Sequence, residues 1–280
     1  MTPTETKQQA NMTNLILYHD VFPCSSDNPS APDLVLVHGW GLHSLVWDDV
    51  MPALLAHFRV TVVDLPGLGR SPLPGGEYNL DYLIEHVLNI APPKALWLGW
   101  SLGGLVAMGV ASRFPERVTG LITVCASPQF TASEDWPVAM RADILKGFID
   151  IFEEDWEGTL IRFLALQCKD SATIKADIRK LRELVYFHGL PAQKALREGL
   201  QILKNTSLLA ELSAIQAPTL HVFGENDNLI PVGVSAQIRE AQPGCETCVI
   251  RGVSHVPFLS APDLFVAAIN DFVQERQFVG

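Results

Sequence analysis

Four stretches of the chain are continuous apolar runs of strand length, each closed by a glycine or a turn: residues 34–38 (LVLVH), 60–64 (VTVVD), 95–99 (ALWLG) and 118–125 (VTGLITVC). A strand with one face in water alternates apolar with polar residues, whereas a run that is apolar throughout is covered on both faces, as in a parallel sheet. Helix-length segments separate the runs at 47–57, 80–89 and 102–114, the last stopped by Pro115. This alternation predicts an α/β fold, a mostly parallel central sheet with helices on both faces. The rhythm breaks after Ser127. From 133 to 204 the apolar residues recur at helical spacing with no strand-like run, and strands return at 219–224 and 247–250, with helices at 232–240 and 263–275. The reading therefore divides the chain into an N-terminal extension (1–30) with no assigned role, an α/β core (31–127 and 206–280) and a helical cap (128–205) inserted between strands. A cap placed there covers the carboxyl ends of the strands, where open α/β sheets bind their ligands.

Composition narrows the function classes. With 48% hydrophobic and 18% charged residues in 280, the chain can bury a full core and is not of the disordered class. A net charge of −11 argues against nucleic acid as the main partner. No apolar run approaches the roughly 18 residues of a membrane span, and the polar opening 1–10 lacks the features of a signal peptide. The expectation is a cytoplasmic monomer. Five cysteines, an odd number, make no disulfide framework, and the one CxxC, Cys245 to Cys248, has no second pair to complete a zinc site. No metal and no cofactor are expected.

The strongest chemical signal is Gly99-Trp100-Ser101-Leu102-Gly103, a G-x-S-x-G directly after a predicted strand and directly before a predicted helix. The glycines allow a cramped turn that exposes the serine hydroxyl, and the helix N-terminus offers unpaired amides to a developing oxyanion. Serine needs a base, itself oriented by an acid. Asp227, in Gly224-Glu-Asn-Asp227, and His255, in Gly252-Val-Ser-His255, follow the next two strands in the order this arrangement requires. Glu225 is the competing acid. His19, His43, His57, His86, His188 and His221 lack such a pattern. Two backbone amides must converge on the oxyanion. Leu102, after the nucleophile, supplies one, and Trp40, in the loop His38-Gly39-Trp40-Gly41, supplies the other. The segment 64–71 (DLPGLGRS) lacks the spacing of a phosphate loop and reads as a structural turn.

With HGWG, VVDLPGLGRS, LWLGWSLGGLVA, GENDNLIP and SHVPF in hand, the chain from about 34 to 273 resembles the α/β-hydrolase superfamily. Within it the chain is similar to the biotin-pathway carboxylesterases that hydrolyse the methyl ester of a pimeloyl group carried on acyl-carrier protein. That likeness rests on residues 39–42, 97–105, 115–118, 135–137 and 162–167, the last two in the cap. It implies Ser101 as nucleophile, His255 as base, Asp227 as orienting acid, and Trp40 and Leu102 as oxyanion donors. It also implies that Phe163, Leu164, Ala165, Leu166 and Gln167 line the acyl channel together with Trp40, Ser101, Leu102 and His255. An acidic acyl-carrier protein would dock on basic cap residues, here Arg162, Lys175 and Arg179. The charge distribution agrees: residues 158–205 carry nine Lys+Arg against four acids, so this segment is +5 and the remainder −16. Where the family leads one to expect a further basic residue near the start of the cap helix, the chain has Gly158. The alternatives are a broad short-chain carboxylesterase, a carbon–carbon bond hydrolase of the same fold, or a non-catalytic ligand-binding protein on that fold.

Overall fold

The computed structural model describes residues 16–26, 28 and 30–276. The apolar runs become strands β2 (Asp33–Val37), β3 (Arg59–Val63), β4 (Ala95–Trp100) and β5 (Val118–Val124), followed later by β6 (Thr219–Gly224) and β7 (Glu246–Ile250). An additional strand, β1 (His19–Phe22), lies inside the extension to which sequence reading assigned no role. It pairs antiparallel with β3, and every other pairing is parallel, in the order β1-β3-β2-β4-β5-β6-β7. HDVF is a weak strand signal because an edge strand with mostly exposed side chains needs no apolar run. Residues 1–15, 27 and 29 of the extension lie outside the described residues.

The middle strands are sealed on both faces, with residues 34–37 and 96–98 at 0% exposure. Burial of each such Val or Leu contributes about 1.5–3 kcal/mol. Helices α2 (Leu80–Leu88) and α3 (Leu102–Arg113) form where they are expected. All of residues 102–111 in α3 are buried; Gly103 and Gly104 let its first turn sit close to the sheet, and Gly109 lets it approach Ile84 of α2. The expected single helix at 47–57 is instead a 3-10 turn at Ser44–Trp47 and a five-residue helix α1 (Met51–Leu55). Pro52, lacking an N–H, is accommodated only in a first turn, so the helix starts beside it.

Between β5 and β6 run four longer helices: α4 (Ala142–Phe152), α5 (Trp156–Gln167), α6 (Ile174–Phe187) and α7 (Gln193–Asn205), followed by the single turn α8 (Leu209–Leu212). Asp155 caps α5 by accepting from Gly158 N at 2.9 Å. A Cβ at Gly158 would require that carboxylate to shift. The chain closes with α9 (Val234–Ala241), α10 (Pro257–Ser260) and α11 (Pro262–Gln274). Among the described residues no helix is long and apolar enough to cross a membrane.

Candidate functional site

Ser101 joins β4 to α3 with φ +56° and ψ −118°, a conformation that a residue with a side chain rarely takes and that the surroundings must impose. The flanking glycines impose it. A Cβ at Gly99 would overlap the Gly103 carbonyl, and one at Gly103 would overlap the Val37 carbonyl. The Ser101 amide stays satisfied, donating to Val124 O at 3.0 Å. Leu102 opens α3, so its N–H has no partner within the helix.

The loop after β2 passes directly over this turn: a Cβ at Gly39 would lie 2.8 Å from the Trp100 ring and 3.1 Å from Ser101 Cβ. His38 locks the loop. Its Nε2 accepts from Leu65 N at 2.9 Å and its Nδ1 donates to Gly39 O at 2.7 Å. Burial pushes this imidazole down to about 4, so at neutral pH it is an uncharged brace. Trp40 is pinned by its Nε1, which donates to Leu196 O of α7 at 2.7 Å, and its ring meets Phe163 of α5 edge-on at 4.8 Å. The segment 64–71 holds the same corner. Asp64 accepts from Ser44 N at 2.8 Å and Arg70 N at 2.9 Å. Burial alone would raise the Asp64 carboxyl, but the charge that His38 gains when it protonates in acid, together with these donors, outweighs it and holds it below the usual range.

Asp227 and His255 meet at the carboxyl ends of β6 and β7. His255 Nδ1 lies 2.8 Å from Asp227 Oδ2, and both side chains are fully buried. The other carboxylate oxygen accepts from Leu229 N at 2.8 Å and Ile230 N at 3.0 Å. An acceptor at Nδ1 sets the tautomer, so the proton is on Nδ1 and the lone pair on Nε2. That Nε2 is buried and has no hydrogen-bond partner among the described residues. Trp100, next to Ser101, donates from its Nε1 to His255 O at 2.8 Å, and the two rings lie 5.7 Å apart. The competing acid, Glu225, accepts from Gly252 N at 2.9 Å instead and serves as a brace between the two loops. Cys125, just past β5, was not singled out by the sequence. It has φ +45°, and burial followed by the nearby Asp227 charge pushes its thiol well up. Among the described residues, Cys125, Asp227 and His255 form a group whose ligand atoms lie within 4.8 Å of one another. Both carboxylate oxygens are already committed to hydrogen bonds, and a protonated thiol is no metal ligand.

Of the cap residues singled out in the sequence, Phe163, Leu164 and Gln167 are buried, while Ala165 and Leu166 are half-buried on the same helix. Phe163 packs between Trp40 and Phe148, the second ring at 5.6 Å. Ser101 is only 2% exposed and His255 is fully buried. The basic residues separate into two places. Lys175 and Arg179 line an open surface groove of about 460 Å³ along α6 with Arg182, Ile178, Tyr186 and the acidic Glu183. Arg162 lies outside it, paired with Asp155 at 3.3 Å.

Residues 34–268 match the family model described as alpha/beta hydrolase family. The chain is 43% identical over 243 residues to the pimeloyl-[acyl-carrier protein] methyl ester esterase of Yersinia enterocolitica serotype O:8 / biotype 1B, covering 87% of this chain and 93% of that protein. It is also 43% identical over 246 residues to the protein of the same name from Edwardsiella ictaluri, covering 87% and 94%. A solved hydrolase from Pseudomonas aeruginosa PA01 superposes with a TM-score of 0.78 at 25% identity, covering 91% of this chain and 93% of that one. A family model spanning most of the chain, relatives alike over nearly their whole length and a shared architecture agree: the chain belongs to the alpha/beta hydrolase family.

Proposed function

We propose that the chain is a serine carboxylesterase that hydrolyses the methyl ester of pimeloyl-[acyl-carrier protein], freeing the carboxylate and methanol in biotin biosynthesis, as a cytoplasmic monomer. The observation that carries the chemistry is the buried Asp227–His255 pair with an unpartnered Nε2, linked through the Trp100 indole, which donates to His255 O, to the adjacent serine on a strained strand-to-helix turn. The substrate comes from the relatives, 42–43% identical, that bear this name.

In the reaction, Ser101 Oγ attacks the ester carbonyl while His255 Nε2 takes its proton, and Asp227 stabilises the imidazolium that forms. The amides of Trp40 and Leu102 receive the oxyanion, each such donor contributing about 3 kcal/mol to barrier lowering. Collapse breaks the bond to methoxide, which leaves as methanol with the proton from His255. Water then attacks the acyl-enzyme, giving one proton to His255, which Ser101 recovers as the acid departs; the acid loses its remaining proton to solvent and becomes the carboxylate. Phe163, Leu164 and Gln167 face the acyl chain. The α6 groove with Lys175, Arg179 and Arg182 receives the acidic carrier, and Arg162 adds charge from the neighbouring helix.

Methanol release from pimeloyl methyl ester on its carrier, set beside hydrolysis of p-nitrophenyl butyrate, tests the reading. Ser101→Ala should abolish both activities. Arg179→Glu should lower the carrier-bound reaction about tenfold and spare the small ester. Equal loss on both substrates would remove the docking face, and Ser101-dependent turnover of the small ester alone would favour a short-chain carboxylesterase.

A further inference from the structure

Nothing in the chemistry above requires the cap to hold the acid and the base, yet one cap segment, 167–177, grips both of their loops. The turn from His255 to Ser260 is held at each end. At the near end His255 N donates to Gln167 O at 3.0 Å. At the far end Ser260 Oγ donates to the Asp177 carboxylate at 2.7 Å. Ala172 N adds a bond to Gly252 O at 3.2 Å, at the start of the histidine loop.

The acid loop is held by the same segment. The residues on either side of Asp227 both reach across: Asn226 Nδ2 donates to Asp170 O at 2.9 Å, and Asn228 Nδ2 donates to Asp170 Oδ2 at 3.1 Å. Asp170 adopts φ +65°, a left-handed conformation that aspartate tolerates better than most residues.

Asp177 is the anchor of this arrangement. It is 4% exposed, and Ser171 Oγ and Thr173 Oγ1 donate to the same carboxylate oxygen as Ser260, at 2.9 Å and 2.8 Å. A buried carboxylate is costly unless its hydrogen bonds are made. Two donors come from its own segment, so the third, from Ser260, ties a requirement of the cap to the position of α10. A base must be held within about 0.5 Å of its working geometry, and here the hold comes from outside the α/β core.

We propose that Asp177 is a positioning residue for the Asp227–His255 pair, acting through Ser260, so that the cap segment 167–177 is part of the scaffold of the base as well as a cover over the substrate.

Ser260→Ala removes the link with little disturbance, and Asp177→Asn weakens it from the other side. The control is Gln237→Ala, which breaks a different cap–core tie, the paired bonds of Gln237 with Val138 at 2.9 Å and 3.1 Å, away from both loops. Expected for Ser260→Ala on p-nitrophenyl butyrate is a kcat about tenfold lower with KM within about twofold, restored by Ser260→Thr and absent in Gln237→Ala. The kinetic arm rests on the esterase reading, and a second arm does not. The low-field proton resonance of His255 Nδ1–H, bonded to Asp227, should broaden or vanish in Ser260→Ala and Asp177→Asn while persisting in Gln237→Ala. An unchanged resonance in Ser260→Ala, or equal losses in the control, overturns the proposal. If the wild-type chain hydrolyses no ester, the function reading fails and the resonance alone decides this one.

Discussion

Ser101 and His255 stand at the same edge of one sheet but are held there by different kinds of force. The serine turn is fixed by sterics inside the core: strand β4, helix α3 and two glycines whose neighbours leave no room for a Cβ. The Asp227 and His255 loops are fixed by polar bonds, some between the two loops and others reaching across to the cap segment 167–177. Steric constraint is local and rigid, whereas a hydrogen-bonded clasp can be loosened by removing one hydroxyl. The nucleophile side should therefore fail by losing the fold, and the base side by losing rate while the fold persists.

The largest effect expected from that contrast is on the base side. Asp227→Asn keeps the shape of the side chain and both bonds to Leu229 N and Ile230 N, but offers His255 the wrong tautomer. Turnover should fall about 10⁴-fold with the melting temperature nearly unchanged. A parallel loss of melting temperature and activity would erase the distinction between the two sides. Next comes Gly99→Ala. The added methyl overlaps the backbone of Gly103, which cannot yield as a flexible side chain would, so at least about 3 kcal/mol of stability should be lost in denaturant unfolding. A stable, inactive Gly99→Ala protein would show that the turn can relax and that the strain at Ser101 is not held by sterics.

The same contrast explains which parts were legible in the sequence. The serine turn needs particular residues at fixed spacing, so Gly99, Ser101 and Gly103 announce it, and the apolar runs announce the strands beneath. Asp227 and His255 are legible through order and through their place after β6 and β7. The clasp is not legible, because Asp170, Asp177, Asn226, Asn228 and Ser260 are ordinary polar residues whose partners lie 56 to 83 positions away. Strand β1 escapes for a related reason: as an edge strand it has side chains in water and no pattern to keep. Pro52 was visible, but its effect on helix 47–57 depends on whether it falls in a first turn, which only the fold decides. Glu225 and Asp227 are chemically equivalent in sequence. The loop geometry separates them, giving one to Gly252 N and the other to His255.

Each side of the site also rests on a buried neutral histidine, and acid gives the smallest test of how the two differ. His38 braces the Trp40 loop over Ser101. His221 lies in β6, below Asp227, with Nδ1 at 2.6 Å from Thr123 Oγ1 and Nε2 at 3.0 Å from Gln242 Oε1. Burial lowers each imidazole from 6.5 to about 4. As pH falls from about 6.5 to about 4, the unfolded chain therefore takes up protons that the folded chain refuses, and stability declines across that window. The loss is on the order of 2–3 kcal/mol per histidine once pH reaches the folded values. Asp64, held below the ordinary carboxylate value of 3.8, gives up its share only at still lower pH. Urea unfolding between pH 7 and 4 should show this slope, and His221→Gln should flatten it by about half. A profile that stays flat in the wild type would mean that both imidazoles protonate in place. The hydrogen bond from Leu65 N to His38 would then have to break, and the loop over Ser101 would be looser than its geometry indicates.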